Sequence, residues 1–181
     1  MLRILNECTA DAAQREALLD AAFGASRHEK TSARLRHGNR PAKGLALSAK
    51  LGDRLIGTLR LWPVETGYGR PALLLGPLAV DPACRSQGIG AKLMLKALSK
   101  AAMLGHKAVL LVGDEAYYQR FGFRAGLTQA LFMPGPVDRS RFLALELEPG
   151  ALKGAAGMVA IASGTGHDRG RAGIETVRAA A

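Results

Sequence analysis

The sequence predicts an α/β (α+β) domain, a mixed β-sheet with helices on its faces. Three observations lead to it. Helical and strand patterns alternate through the middle of the chain, and paired strand patterns stand before and after them. The length of 181 residues and the apolar content of 48% suit one domain with a substantial core. Neither an internal repeat nor a second domain is visible. Residues 1–161 are read as the domain and residues 162–181, rich in glycine and charge without periodicity, as a weakly ordered tail.

The elements follow in order. "LRILNE" is a short strand. "TADAAQREALLDAAFG" is a helix that Thr9 can cap, Asp11 favours at its positive end and Gly24 can stop. Its apolar stripe is read as Ala13, Ala17, Leu18, Ala21 and Ala22. "HEKTSARLRHG" is a second, short helix and "NRPAKG" a loop. "GLALSAKL" and "LIGTLRLWP" flank a Gly-Asp turn, a hairpin signal, with Pro63 marking a strand end or bulge. "PALLLGPLAV" reads as a strand buried on both faces and interrupted at Gly76-Pro77.

A helix is predicted from Gly88 to Leu104, with Ala91, Met94, Leu95, Leu98, Ala101 and Ala102 on its apolar face and Gly105 ending it. "HKAVLLVG" is a buried strand. "DEAYYQRFG" is a short helix capped by Asp114 and stopped by Gly122. "ALFMP" and "RFLALELEP" are two further strands joined through "GPVD".

Composition narrows the function classes. Cys8 and Cys84 form neither a disulfide framework nor a metal cluster, so a reducing, cytoplasmic setting is expected and no metal. The N-terminus lacks the apolar stretch of a signal peptide. No apolar run approaches the ~18 residues of a membrane helix. The net charge of +10 favours anionic partners without choosing among them. Few aromatics interleave with the basic residues, which argues against nucleic acid.

One stretch carries chemistry: "CRSQGIGAKL", residues 84–93. Glycines at the mouth of a helix let a ligand approach the main chain, and the first-turn N–H groups make an anion site. A P-loop needs a Lys-Ser/Thr pair directly after its second glycine; here Lys92 is displaced by one position and Leu93 follows. A dinucleotide turn needs a small residue where Leu93 stands, and its glycines directly after the strand, where "DPACRSQ" intervenes.

A third pattern fits. "LAVDPACRSQGIGAKLM" resembles the pyrophosphate loop of the GNAT superfamily of acyl-CoA-dependent N-acyltransferases. The apolar strand end is Leu78, Ala79 and Val80; Pro82 stands in the connection; Arg85, Gly88 and Gly90 complete the loop. Farther on, after a predicted helix and a buried strand, "YYQRFGF" matches the superfamily's Tyr-x-x-x-Gly-Phe marker with Tyr118, Gly122 and Phe123. The resemblance covers roughly residues 44–148 and, loosely, the N-terminal strand and helix. It implies a mostly antiparallel mixed sheet with helices on both faces.

The resemblance also implies a reaction: transfer of an acetyl group from acetyl-CoA to a primary amine by direct attack. Tyr118 is then the general acid for the leaving thiolate. The pyrophosphate would lie on the amides of Gln87, Gly88, Ile89, Gly90 and Ala91, with Arg85 and Ser86 beside it. The pantetheine arm would run along Leu78, Ala79 and Val80, and Gly76-Pro77 would supply the bulge that opens the sheet. The strand lacks the carboxylate many relatives use as a base, and "GDEA" stands where many carry an Asn. No general base is therefore assigned; Glu65, His28 and His37 lie in segments that border the expected acceptor site. The acceptor is a small-molecule or peptide amine of unread identity. A homodimer is compatible with this reading. The alternative is a non-catalytic module that holds acyl-CoA or nucleic acid.

Overall fold

Two long strands organise the molecule. In the computed structural model, which describes residues 1–163, β3 (Arg54–Thr66) and β4 (Arg70–Val80) pair antiparallel from Gly57↔Val80 to Thr66↔Arg70. On one side of them β2 (Ala46–Leu51) pairs with β3 through the predicted hairpin, and β1 (Leu2–Asn6) pairs with β2. On the other side β5 (Ala108–Val112) runs parallel to β4, and β7 (Phe142–Glu146) is antiparallel to β5. The order is β1-β2-β3-β4-β5-β7, with β9 (Ala160–Ile161) added to the far half of β3. The mixed, mostly antiparallel sheet of the sequence reading is thus observed.

Helices cover both faces. α3 (Ile89–Met103) buries Ile89, Leu93, Met94, Ala97, Leu98 and Ala101 in one core with Leu47, Leu59, Leu73, Val109 and Leu111. Replacing a fully buried residue here, such as Leu93, by Ala would cost about 2–5 kcal/mol. On the opposite face α1 (Ala12–Phe23) sets Leu18 and Leu19 on Leu55 and Ala79. Beside it a second core gathers Leu35, Trp62, Val64, Leu110, Phe142, Leu152 and Val159.

Several readings are corrected. In α3, Leu95 is 60% exposed, and Ala102 is exposed too; Leu93 and Ala97 take their places on the sheet. In α1, Ala13, Ala17 and Ala21 face outward. Alanine satisfies either environment, so the larger Leu18, Leu19, Ala22 and Phe23 decide which face docks. Thr9 is not the cap: residues Thr9–Asp11 form a 3₁₀ turn, and the Asp11 carboxylate accepts the Cys8 N–H at 3.1 Å.

Pro63 does not end its strand. Its carbonyl accepts from the Asn39 side chain (2.9 Å) and from Ala162 (3.4 Å). The proline thus faces the edge between the end of β2 pairing at Arg60 and the start of β9 pairing at Val64, where its missing N–H forfeits no ladder bond. β6 (Leu131–Phe132) does not pair with β7 across "GPVD"; it forms a separate two-stranded parallel sheet with β8 (Gly157–Met158). The loop between is tied instead to α2 (Thr31–Arg34): Thr31 and Arg34 donate to the carbonyls of Pro136 and Pro134.

At the C-terminal end, Ser163 donates to the Glu65 carboxylate through its N–H (3.2 Å) and hydroxyl (3.0 Å). The rest of the segment read as a tail lies outside the described residues.

Candidate active site

The site begins where the sheet parts. β4 and β5 are in register only at Leu73↔Val109 and Leu74↔Leu110. Just beyond, β4 carries an extra residue: Leu61 faces Leu75 but Leu59 faces Leu78, a bulge at Gly76-Pro77 opposite Arg60. The bulge reverses which face successive side chains take. Before it Leu73 and Leu75 point to the α3 core; after it Leu78 and Val80 do. The Trp62 indole N–H donates to the Gly76 carbonyl at 2.5 Å and pins the bulge. From Leu78 to Val80 the β5-side edge of β4 has no strand against it.

This gap opens into a cavity of about 880 Å³. One wall is Leu75 to Leu78 of β4, the other is Leu111 to Asp114, and Tyr117 and Tyr118 of α4 (Glu115–Tyr118) close one side. Residues from α1, from α2 and the turn after it, and from β3, among them Glu16, Phe23, Arg36 and Trp62, form much of the rest.

The predicted glycine loop sits at the far end of β4. The Asp81 carboxylate accepts the Ala83 N–H (2.9 Å) and pairs with Arg54 (2.5 Å), fixing the turn that leaves the strand. Cys84 is buried in the α3 core, a packing role. Ser86 and Gly88 both have positive φ, 64° and 72°. For Gly88 this costs nothing; for Ser86 it is an uncommon conformation that reorients the loop's amides. Gly88 caps α3, its carbonyl accepting the Lys92 N–H at 3.0 Å. The N–H groups of Ile89, Gly90 and Ala91 therefore have no partner within the helix. Gln87 and Gly88 are exposed, as is Arg85, whose side chain makes no ion pair among the described residues.

The tyrosines connect loop and gap. A Cβ on Gly90 would lie 3.1 Å from the Tyr117 hydroxyl, so that hydroxyl rests against the first turn of α3. Tyr118 points elsewhere, as helical spacing requires: its ring stands edge-on to Tyr117 (4.9 Å between centroids) and to Phe123 (6.0 Å). Its hydroxyl has no hydrogen-bond partner among the described residues. Burial, with the neighbouring Tyr117 adding to it, pushes the Tyr118 hydroxyl up to about 12. It therefore stays protonated throughout the neutral range. The Asp114 carboxylate accepts the Ala116 N–H at 3.1 Å, the capping role read from sequence.

Of the candidate acceptor-side residues, His28 and His37 line the cavity. Glu65 does not; Ser163 occupies its carboxylate on the far half of β3. Glu16, which sequence reasoning missed, does line the cavity. Burial alone would raise its pKa, but hydrogen bonds from Arg27 and Arg15 outweigh this and hold it low. A carboxylate so held is a poor base.

The residues fit a CoA ligand on their own geometry. They supply an anion cradle at a 15-residue helix, an open strand edge leading away from it, and a cavity with an unpartnered phenol at the end. Comparison with known proteins agrees. Residues 11–123 match the Acetyltransferase (GNAT) family. The chain is 32% identical over 154 residues to the uncharacterised N-acetyltransferase YhbS of Escherichia coli K12, covering 84% of this chain and 92% of that protein. The crystal structure of the Escherichia coli protein YhbS in complex with CoA superposes with a TM-score of 0.73 at 30% identity, covering 89% of this chain and 88% of that one. A GNAT family acetyltransferase from Brucella melitensis in complex with acetyl-CoA gives 0.59 at 28% identity, covering 80% and 96%. With the match spanning loop, bulge and tyrosine helix alike, the chain belongs to the GNAT family of acetyltransferases.

Proposed function

We propose that the protein transfers the acetyl group of acetyl-CoA to a primary amine by direct attack, with Tyr118 as general acid. The catalytic unit is residues 1–161. Acetyl-CoA supplies the activated acyl carbon as a thioester. The amides of Gln87, Gly88, Ile89, Gly90 and Ala91 hold the pyrophosphate, with Arg85 and Ser86 at its border. The open edge of Leu78, Ala79 and Val80 offers main-chain groups to the pantetheine arm. The observation that supports the reading is adjacency: the Tyr117 hydroxyl rests against Gly90 of the loop, and Tyr117, Tyr118 and Leu78 of the open edge line one cavity.

The proton count closes. As the new N–C bond forms and the C–S bond breaks, the Tyr118 hydroxyl donates its proton to the departing sulfur. The amine loses one proton to water, and Tyr118 regains one from solvent. Two carboxylates line the cavity: Glu16 is held by two arginines, and Asp114 is engaged in capping the α4 turn, so neither is assigned as base. Two free cysteines, Cys8 and Cys84, suit a reducing cytoplasmic setting.

The test is a screen of primary amines for thiol release, with the acetylated amine confirmed by mass spectrometry. Release that requires both acetyl-CoA and an amine is expected. Failure of acetyl-CoA to bind at all would overturn the reading.

A further inference from the structure

Five arginines line the cavity; three are already engaged, and Arg141 is exposed and within electrostatic reach of Tyr118. Arg27 is held by Glu16 (2.5 Å) and Asp20 (2.7 Å). Arg60 is held by Glu7. Arg34 donates to the Pro134 carbonyl at 2.7 Å. Arg36 differs. It is half-buried in the cavity wall, and its one side-chain hydrogen bond is a long one to the Ser32 hydroxyl, 3.3 Å. No carboxylate among the described residues pairs with it.

Its backbone is fixed. Leu35, only 3% exposed, plugs into the Trp62 core. The Asn39 amide clamps the turn by donating to the carbonyls of Leu35 (3.1 Å) and Pro63 (2.9 Å). Arg36 Nη1 lies 3.9 Å from where a Cβ on Gly76 would stand, so the guanidinium meets β4 at the bulge where the sheet parts. The pyrophosphate cradle begins beyond Val80, roughly 13 Å farther along the strand at about 3.3 Å per residue. Arg36 therefore lies at the end of the open edge farthest from the cradle.

A half-buried cation without a counter-ion is unfavourable in the protein alone. Burial first, and repulsion from Arg27 second, bring its pKa down to about 10, so it is still charged at neutral pH. A guanidinium fork held ready in a cavity matches the paired oxygens of a carboxylate or phosphate. We propose that the amine acceptor carries such an anionic group, and that Arg36 binds it and so presents the amine to the acyl carbon near Gly76. This rests on the acetyl-transfer reading above.

The experiment compares matched amines, phosphoethanolamine with ethanolamine and β-alanine with β-alaninamide, in thiol release and in calorimetric binding to the CoA-loaded protein. The wild type should favour at least one anionic member by tenfold or more in kcat/KM, chiefly through KM; whichever pair shows it tells phosphate from carboxylate. Arg36→Gln should erase the preference while leaving the neutral amine within about twofold, and Arg36→Lys should restore part of it. Arg40→Gln, on the exposed loop, should change neither. Because Arg36 has no ion pair to lose, Arg36→Gln should keep or raise Tm.

Equal use of neutral and anionic members by the wild type would overturn the proposal, as would equal loss of both in Arg36→Gln or a fall in Tm of several degrees. Arg36-dependent binding of an anionic amine without turnover of any amine would support the anion site and sink the acetyl-transfer reading. Turnover indifferent to the anionic group would do the reverse.

Discussion

The Tyr118 ring occupies the space a side chain at Gly113 would need: a Cβ there would lie 2.3 Å from Tyr118 Cε2 and 2.8 Å from Cδ2. The end of β5 is bare so that the phenol can lie across it. This packing, with Phe123 on another side, orients the Tyr118 hydroxyl without any hydrogen bond to it. Gly113→Ala should therefore displace Tyr118 and lower kcat at least tenfold, while acetyl-CoA affinity changes less than threefold. Steady-state kinetics beside calorimetry check the split; unchanged kcat would show that the ring's position does not matter.

The cradle is tested at Gly90. A β-branched side chain there would meet the Tyr117 hydroxyl, Val80 and Leu78, and so would crowd the open edge beside the proposed cradle. Gly90→Val should weaken CoA binding by tenfold or more in calorimetry. Affinity within twofold of wild type would remove the pyrophosphate from this loop.

The pH dependence follows from Tyr118. Its raised pKa of about 12 keeps it protonated across the working range, so it contributes no limb to the kcat/KM profile between pH 6 and 10. The rate should climb with pH as the acceptor amine loses its proton. A plateau already complete below pH 6 would reveal a low-pKa protein base. Stability carries the matching sign: the folded pKa is raised, so the contribution is complete below the unfolded value near 10 and fades as pH rises toward about 12.

Asp11 tests the fold rather than the chemistry. It is 2% exposed and receives Lys50, the Ser48 hydroxyl (3.1 Å) and the Cys8 N–H. Burial alone would raise its pKa, and these donors together outweigh it and hold the carboxyl low. Its stabilisation is present above the unfolded pKa near 4 and is lost as pH falls through the lower folded value. Asp11→Ala should cost about 1–3 kcal/mol by stranding Ser48 and Cys8, read by urea denaturation at pH 7. The deficit should shrink in acid; one that stayed constant to pH 3 would contradict the ionised pairing.

What was legible in the sequence is what is local. The glycine loop and the Tyr118 marker each depend on a few consecutive residues, and the bulge at Gly76-Pro77 has a chain-local cause. The cavity wall was legible only in part: His28 and His37 line it, but several other members were not read. Arg36, Glu16 and Trp62 come from three separate elements and meet only through the packing of Leu35, Leu19 and Phe23. β8 and β9 are two residues each, too short to leave a period, and are set by their pairing with β6 and β3. The alanines of α1 misled because they carry little preference, and Leu95 misled because apolar type alone does not decide which side of α3 meets the sheet.

The most direct measurement is a single-turnover comparison of wild type, Tyr118→Phe and Tyr117→Phe, each preloaded with acetyl-CoA and mixed with an amine that the wild type acetylates. If Tyr118 protonates the leaving thiolate, its loss should slow transfer about a hundredfold or more, with acetyl-CoA affinity within threefold, and Tyr117→Phe should lose far less. Equal losses in the two variants, or none in Tyr118→Phe, would contradict the assignment.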